Sequence, residues 1–261
     1  MIELLEKTAK EASKFFQNFL VIESTANRNG FLQKVDARVK VLGIFVLVVL
    51  SVSTFDFQKL FFSLMLIPIL LAISKISLKV FVSRVWLFPL FSFLIVSPRI
   101  FMGKVLLYPS LFLTYDGLIY SIIFTLRVFI AVSFLSLLIL TTQFSEIISA
   151  LRFFKIPESI ISILVLTYRY IHLTFSELFR ILVARESRRV RKMKISEIWN
   201  GGGASLGVFF IRVLERAERI YLSSIARGGQ NYRPYVFPLR FRSTEAFFTS
   251  MVLANIIWWL I

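Results

Sequence analysis

Between residues 117 and 141 the chain reads GLIYSIIFTLRVFIAVSFLSLLILT, twenty-five residues with a single charge, Arg127. That run is longer than the roughly 20 apolar residues a helix needs to cross a bilayer. Four further runs flank it, at 39–55, 60–74 (interrupted by Pro68), 80–96 (with Arg84 close enough to one end to snorkel) and 246–261. The last ends in Trp258 and Trp259, an aromatic pair suited to the headgroup boundary. Composition agrees: 57% of the 261 residues are hydrophobic and 29 are Phe, beyond the usual content of a soluble domain. The expected fold class is an all-α integral membrane protein with about five transmembrane helices.

Charge sets the orientation. Lys34 and Arg38 precede the first span with Lys40 at its start, Lys75 and Lys79 lie between the second and third with Arg84 near the start of the third, and seventeen of the thirty-one Lys and Arg fall in 152–242, with six Glu and no Asp. The intervening loops carry little net charge. All basic loops therefore fall on one side, which the positive-inside rule makes the cytoplasm. Residues 2–20 repeat Ile2, Leu5, Ala9, Ala12, Phe16 and Phe19 at helical spacing, as expected of an amphipathic helix on a membrane surface or a partner. No signal-peptide pattern opens the chain. The division expected is 1–38 amphipathic helix and loop, 39–142 transmembrane helices 1–4, 143–242 a cytoplasmic segment, and 243–261 a C-terminal span.

The segment 143–242 is too polar for more membrane helix and too apolar for disorder. FSEIISALRFF at 144–154 is a short amphipathic stretch, and Pro157 is placed to open a long helix with Glu158 in its first turn. Gly201 to Gly203 are expected to break the pattern and serve as a hinge. Beyond them Leu206, Phe210, Val213, Ala217, Ile220 and Tyr221 share one face, while Arg212, Glu215, Arg216 and Arg219 occupy the other, with Glu215 and Arg219 at pairing distance. Each of the two amphipathic helices finishes at a small residue followed by arginine: Ala184-Arg185-Glu186 and Ala226-Arg227-Gly228. An arginine at a helix tip beside small residues offers its planar fork to carboxylates or carbonyls of an approaching surface. The plainer alternative is headgroup binding or stabilisation of a helix C-terminus.

The segments KVDARVKVL (34–42), TTQFSEIISALRFFKIPESI (141–160), LTYRY (166–170), ARESRR (184–189) and RVLERAERIYLSSIARGG (212–229) together resemble the transmembrane T component of energy-coupling factor transporters, most closely its cobalt-type permease branch. The run LERAERIYLSSIARGG is the specific part. Two departures stand out: Ala-Arg-Glu at the first corner where Ala-Arg-Gly is commoner, and Asp36-Ala37 where the family has an Asp-Pro pair. The resemblance implies a scaffold without catalytic chemistry or cofactor, linking two ABC-type ATPase subunits to a separate substrate-binding membrane subunit. Ala184, Arg185 and Glu186, with Ala226, Arg227 and Gly228, would then engage the ATPases. The long cytoplasmic helices would cross and rest against the membrane subunit. The substrate class implied is a transition-metal ion, cobalt or nickel, or a vitamin.

Other chemistries find little support. No G-x-x-x-x-G-K-[ST] loop occurs, so ATP phosphates have no cradle here. Without Cys, and with His172 as the only histidine, no metal-ligand spacing is recognisable, and His172 reads as structural. Three Asp, at 36, 56 and 116, exclude an aspartate-rich diphosphate motif. The basic run 185–194 lacks interleaved aromatics, so membrane lipid headgroups fit it better than nucleic acid. Arg127, costly at a bilayer centre, must face protein or water, as an anchor to the membrane partner or as a pair within the chain. A membrane insertase or assembly scaffold is the alternative function.

Overall fold

The structure is a computed structural model, described over residues 30–101, 106–108, 113–188, 195–228 and 243–260. The amphipathic helix expected at 2–20 lies outside these residues. Ten helices are described: α1 (Phe31–Lys34), α2 (Ala37–Ser53), α3 (Phe57–Ile73), α4 (Leu78–Val85), α5 (Leu87–Val96), α6 (Tyr115–Thr141), α7 (Phe144–Phe153), α8 (Glu158–Ser187), α9 (Ile195–Ala226) and α10 (Ser243–Leu260). They fall into two compact units, one holding α1–α7 and α10, the other α8 and α9. The protein is an all-α membrane protein. By length and composition Leu78–Ile100, Tyr115–Thr141 and Glu158–Arg185 can each cross a bilayer, and Phe57–Ile73 is a shorter apolar helix.

In the first unit α6 is the central post, in contact with α2, α3, α4 and α5. Its buried stripe, Ile130, Phe134, Leu137 and Thr141, follows helical spacing and meets the stripe Lys40, Ile44, Leu47 and Ser51 of α2. Lipid tails are as apolar as Leu, so close packing and internal polar bonds, more than hydrophobicity, hold such helices together. Gly43 supplies one close approach: a Cβ there would lie 2.6 Å from Phe248 Cε1 and 3.2 Å from Val252 Cγ2, on α10. Asn255 Nδ2 donates to Ser63 Oγ at 3.3 Å, and Lys59 Nζ to the Trp259 carbonyl at 2.7 Å, binding α10 to α3. Trp259 Nε1 also donates to Thr54 Oγ1. The outward positions, Phe45, Leu90 and Ile95 among them, stay exposed and apolar, the surface lipid requires.

Several boundaries differ from those read in the sequence. The second span begins at Phe57, not residue 60: residues 57–59 are helical, Asp56 stands at the N-cap position, and Lys59 has a carbonyl partner on α10. The third span divides at Trp86 into α4 and α5: Pro89 has no N–H for the Val85 carbonyl four residues back. The loop after it holds a 3-10 helix, Ser97–Phe101, and an antiparallel pair of short strands, β1 (Leu106–Tyr108) and β2 (Leu113–Thr114), none of which periodicity signalled. Asp36 caps α2 by accepting from Arg38 N at 2.9 Å, and Ala37 occupies the first helical position, where a proline is equally at home. That accounts for the Asp-Ala departure.

Candidate functional site

The site is built on α8 and α9, 30 and 32 residues long. Their contacts run in antiparallel register. Arg185 near the end of α8 meets Gly201 near the start of α9. Midway, Glu177 pairs with Arg216 at 2.5 Å and with Arg212 at 3.8 Å. Further back, Leu166 and Tyr170 line one groove with Ile220, Tyr221 and Ser224, of about 290 Å³. A second groove of about 330 Å³ lies between Tyr170, Thr174, Leu178 and Phe209.

The sequence placed Arg216 on the solvent side of α9, opposite an apolar face. The structure rotates that assignment: Ser205, Phe209, Val213, Arg216 and Ile220 are the sheltered positions. Glu177, only 17% exposed in its side chain, is the reason, since a carboxylate in that setting draws in an opposite charge. Much of the expected apolar face, Leu206, Phe210 and Tyr221, is left uncovered at 55%, 62% and 65% exposure, joined by Ile211, Leu214 and Ile225. So many apolar side chains on a helix mark a surface made to be covered.

Gly201 to Gly203 do not break the helix: α9 runs through them from Ile195 to Ala226. Each glycine costs roughly 1 kcal/mol against alanine in a helix interior. What the first one permits is the approach of Arg185. A Cβ on Gly201 would lie 2.9 Å from Arg185 Cζ and 3.1 Å from Nε, and would collide with Nη2; at Gly202 the nearest atom is Arg185 Nη1 at 3.7 Å. At Gly203 nothing lies within 4 Å. Gly201 and Gly202 are a floor under an arginine, within an unbroken helix.

The two corners differ locally. Ala184, Arg185 and Glu186 all lie within α8, which continues to Ser187, so Glu186 occupies helical backbone and no glycine is needed. At the second corner α9 ends at Ala226; Arg227 N donates to the Ser224 carbonyl at 3.2 Å and Gly228 N to the Ile225 carbonyl at 2.9 Å. Gly228 has φ +76°, the left-handed region glycine enters freely. Glutamate in place of glycine is thus explained at the first corner and would be strained at the second. Along α9 the residue under Arg185 and the residue bearing the second fork are 26 positions apart, about 40 Å at 1.5 Å per residue.

Outside this unit, Arg127 lies with its guanidinium carbon 4.2 Å from the Phe55 ring centroid, a cation–π contact within the chain. Phe55 stacks in turn on Tyr120, which also stacks on Phe124 and lies 4.4 Å from the guanidinium carbon of Arg99. Sequence reasoning counted Lys40 only as a basic residue flanking the first span. It is fully buried, donating from Nζ to the Thr141 carbonyl at 3.1 Å and to Thr142 Oγ1 at 3.0 Å, which ties the start of α2 to the end of α6. Its signal was a lysine in register with the buried stripe of a mostly apolar helix. Among the described residues no group of three His, Asp or Glu could hold a metal ion.

A family model described as cobalt transport protein matches residues 28–236, from before α1 to beyond both arginine corners. An uncharacterized protein of Methanocaldococcus jannaschii is 33% identical over 235 residues, which is 87% of this chain and 80% of that protein. A second uncharacterized protein of the same organism is 27% identical over 112 residues, 43% of this chain and 41% of its own length. With its apolar membrane helices and a match that covers most of its length, the chain belongs to the CbiQ family of cobalt transport proteins.

Proposed function

We propose that this protein is the energy-coupling transmembrane subunit of an ATP-driven uptake transporter of the energy-coupling factor type, without catalytic chemistry of its own. It joins two ABC-type ATPase subunits to a substrate-binding membrane subunit of the S or M type. The observation that carries the reading is the pair of arginine corners at the two ends of one antiparallel helix pair, about 40 Å apart, each beside an exposed alanine. Two similar prongs at that spacing suit two copies of one partner. The chain lies in the cell membrane with α8 and α9 on the cytoplasmic side. Although α8 is long enough to span, it carries Arg169, Glu177 and Arg180 and is ion-paired to the polar helix α9, an arrangement that favours the aqueous boundary.

Nucleotide binding closes the ATPases on each other, and the helix pair held at its two corners shifts as a unit in response. Because Glu177 clasps Arg216 and Arg212 midway, the two helices respond as one body, and the uncovered apolar side chains of α9 pass the movement to the membrane subunit they rest on. The cargo is a transition-metal ion, for which family membership speaks, with a vitamin as the other class served by this architecture. Arg127 is the candidate anchor on the transmembrane side, held in readiness over Phe55. Family membership favours this reading over an insertase.

Purification from detergent, with recovery of the P-loop ATPase pair that accompanies the unmodified chain, tests the proposal. Arg185→Ala together with Arg227→Ala is expected to abolish that recovery while insertion and elution volume stay the same. Full recovery by the double variant, or nucleotide hydrolysis by the isolated chain, refutes it.

A further inference from the structure

Three consecutive glycines inside a continuous helix are costly, so at least one should be where no side chain fits. Only Gly201 meets that condition against another side chain. Its missing Cβ leaves the place taken by the Arg185 guanidinium, whose Cζ, Nε and Nη2 all fall inside the volume a methyl would need. Gly202 is in ordinary contact with the same fork, and Gly203 and Gly207 face open space. Arg185 itself is half-buried, although it sits in the last turn of its helix, where arginines usually swing free. Backbone that comes this close to a planar guanidinium restricts the orientations the fork can take.

We infer that Gly201 is a positioning residue: it fixes the guanidinium of Arg185 in the orientation that engages the ATPase, so that the first corner is assembled from both helices. This rests on the coupling function proposed above. The second corner needs no such seat, since Arg227 follows directly on the end of its helix and its turn is set by Gly228 at positive φ. The arrangement reduces the side-chain freedom lost on binding, the usual gain from a preorganised contact. It also makes the first corner dependent on the register between α8 and α9: slippage of one helix past the other would carry Arg185 off its floor.

The atoms that a Gly201 methyl would strike are the far end of a flexible side chain, so Gly201→Ala is accommodated by moving the fork rather than by opening the helix pair. The test measures affinity for the co-purifying ATPase pair in Gly201→Ala, Gly203→Ala and Arg185→Ala chains and in the Gly201→Ala/Arg185→Ala combination, each first shown to elute and melt as a folded protein. Gly201→Ala is expected to weaken binding about tenfold, within the range for residues in direct contact. Gly203→Ala, with the same gain in helix propensity, is expected to bind as the unmodified chain does. In the Arg185→Ala background the Gly201 change should have no further effect. Unchanged or tighter binding by Gly201→Ala, or a loss that persists without Arg185, overturns the inference. Full ATPase recovery by the double arginine variant would instead overturn the coupling function itself.

Discussion

Thr142→Val probes a fully buried polar contact in the membrane unit. Lys40 is fully enclosed, and its amine has two acceptors, the Thr141 carbonyl at 3.1 Å and Thr142 Oγ1 at 3.0 Å. Valine keeps the branched shape of threonine, and residue 142 has extended backbone (φ −130°, ψ 128°) that a β-branched side chain adopts readily. The substitution therefore removes one acceptor and almost nothing else. Leaving a buried donor short of a partner costs about 1–3 kcal/mol. For a chain of this length that corresponds to a fall in apparent Tm of about 2–10 °C. A thermal melt in one detergent at one scan rate reads it, since membrane proteins commonly unfold irreversibly. Thr142→Ser, which keeps the hydroxyl, should melt above the valine variant. Should valine melt with the unmodified protein, or above serine, then Lys40 does not tie α2 to α6 in the way its geometry indicates.

Two further outcomes follow from the helix pair. Glu177→Gln removes the charge that gathers Arg216 and Arg212 and should loosen α8 from α9 by about 1–3 kcal/mol, between the values for exposed and buried pairs; faster amide hydrogen exchange confined to these helices is the expected result, and unchanged exchange refutes it. Gly228→Ala, at φ +76°, should cost about 1–2 kcal/mol and fray the end of α9, whereas Glu186→Gly, on helical backbone, should lose only about 1 kcal/mol and gain nothing at its corner. Limited proteolysis at each corner separates the two, and equal sensitivity would contradict the difference in backbone conformation.

The membrane class was legible because an apolar run of sufficient length admits few other structures, and the two corners were legible because a small residue followed by arginine at a helix end is a local pattern. Less visible was anything requiring a second element. The glycine run looked like a hinge, since one-dimensional propensity penalises glycine in a helix; the helix continues because packing with α8 outweighs that penalty. Arg216 looked solvent-facing because the carboxylate that shelters it is 39 residues away in the chain. Lys40 looked like a flanking cation for the same reason, its acceptors lying more than a hundred residues downstream.

Taken alone, the order of residues determined that this chain is an all-α membrane protein, where its apolar runs lie, which segments carry the basic charge, and that arginine occupies two helix ends. Those properties depend on composition and on spacing within a single helix, which the chain carries locally. Tertiary structure decided how the ends are made into corners: one arginine laid on a glycine floor from the neighbouring helix, the other set beyond a helix end by a left-handed glycine. It also decided which face of α9 is sheltered and which is left exposed. The physical reason is that a side chain's orientation depends on whatever occupies the space beside it, and that space is filled by residues distant in sequence.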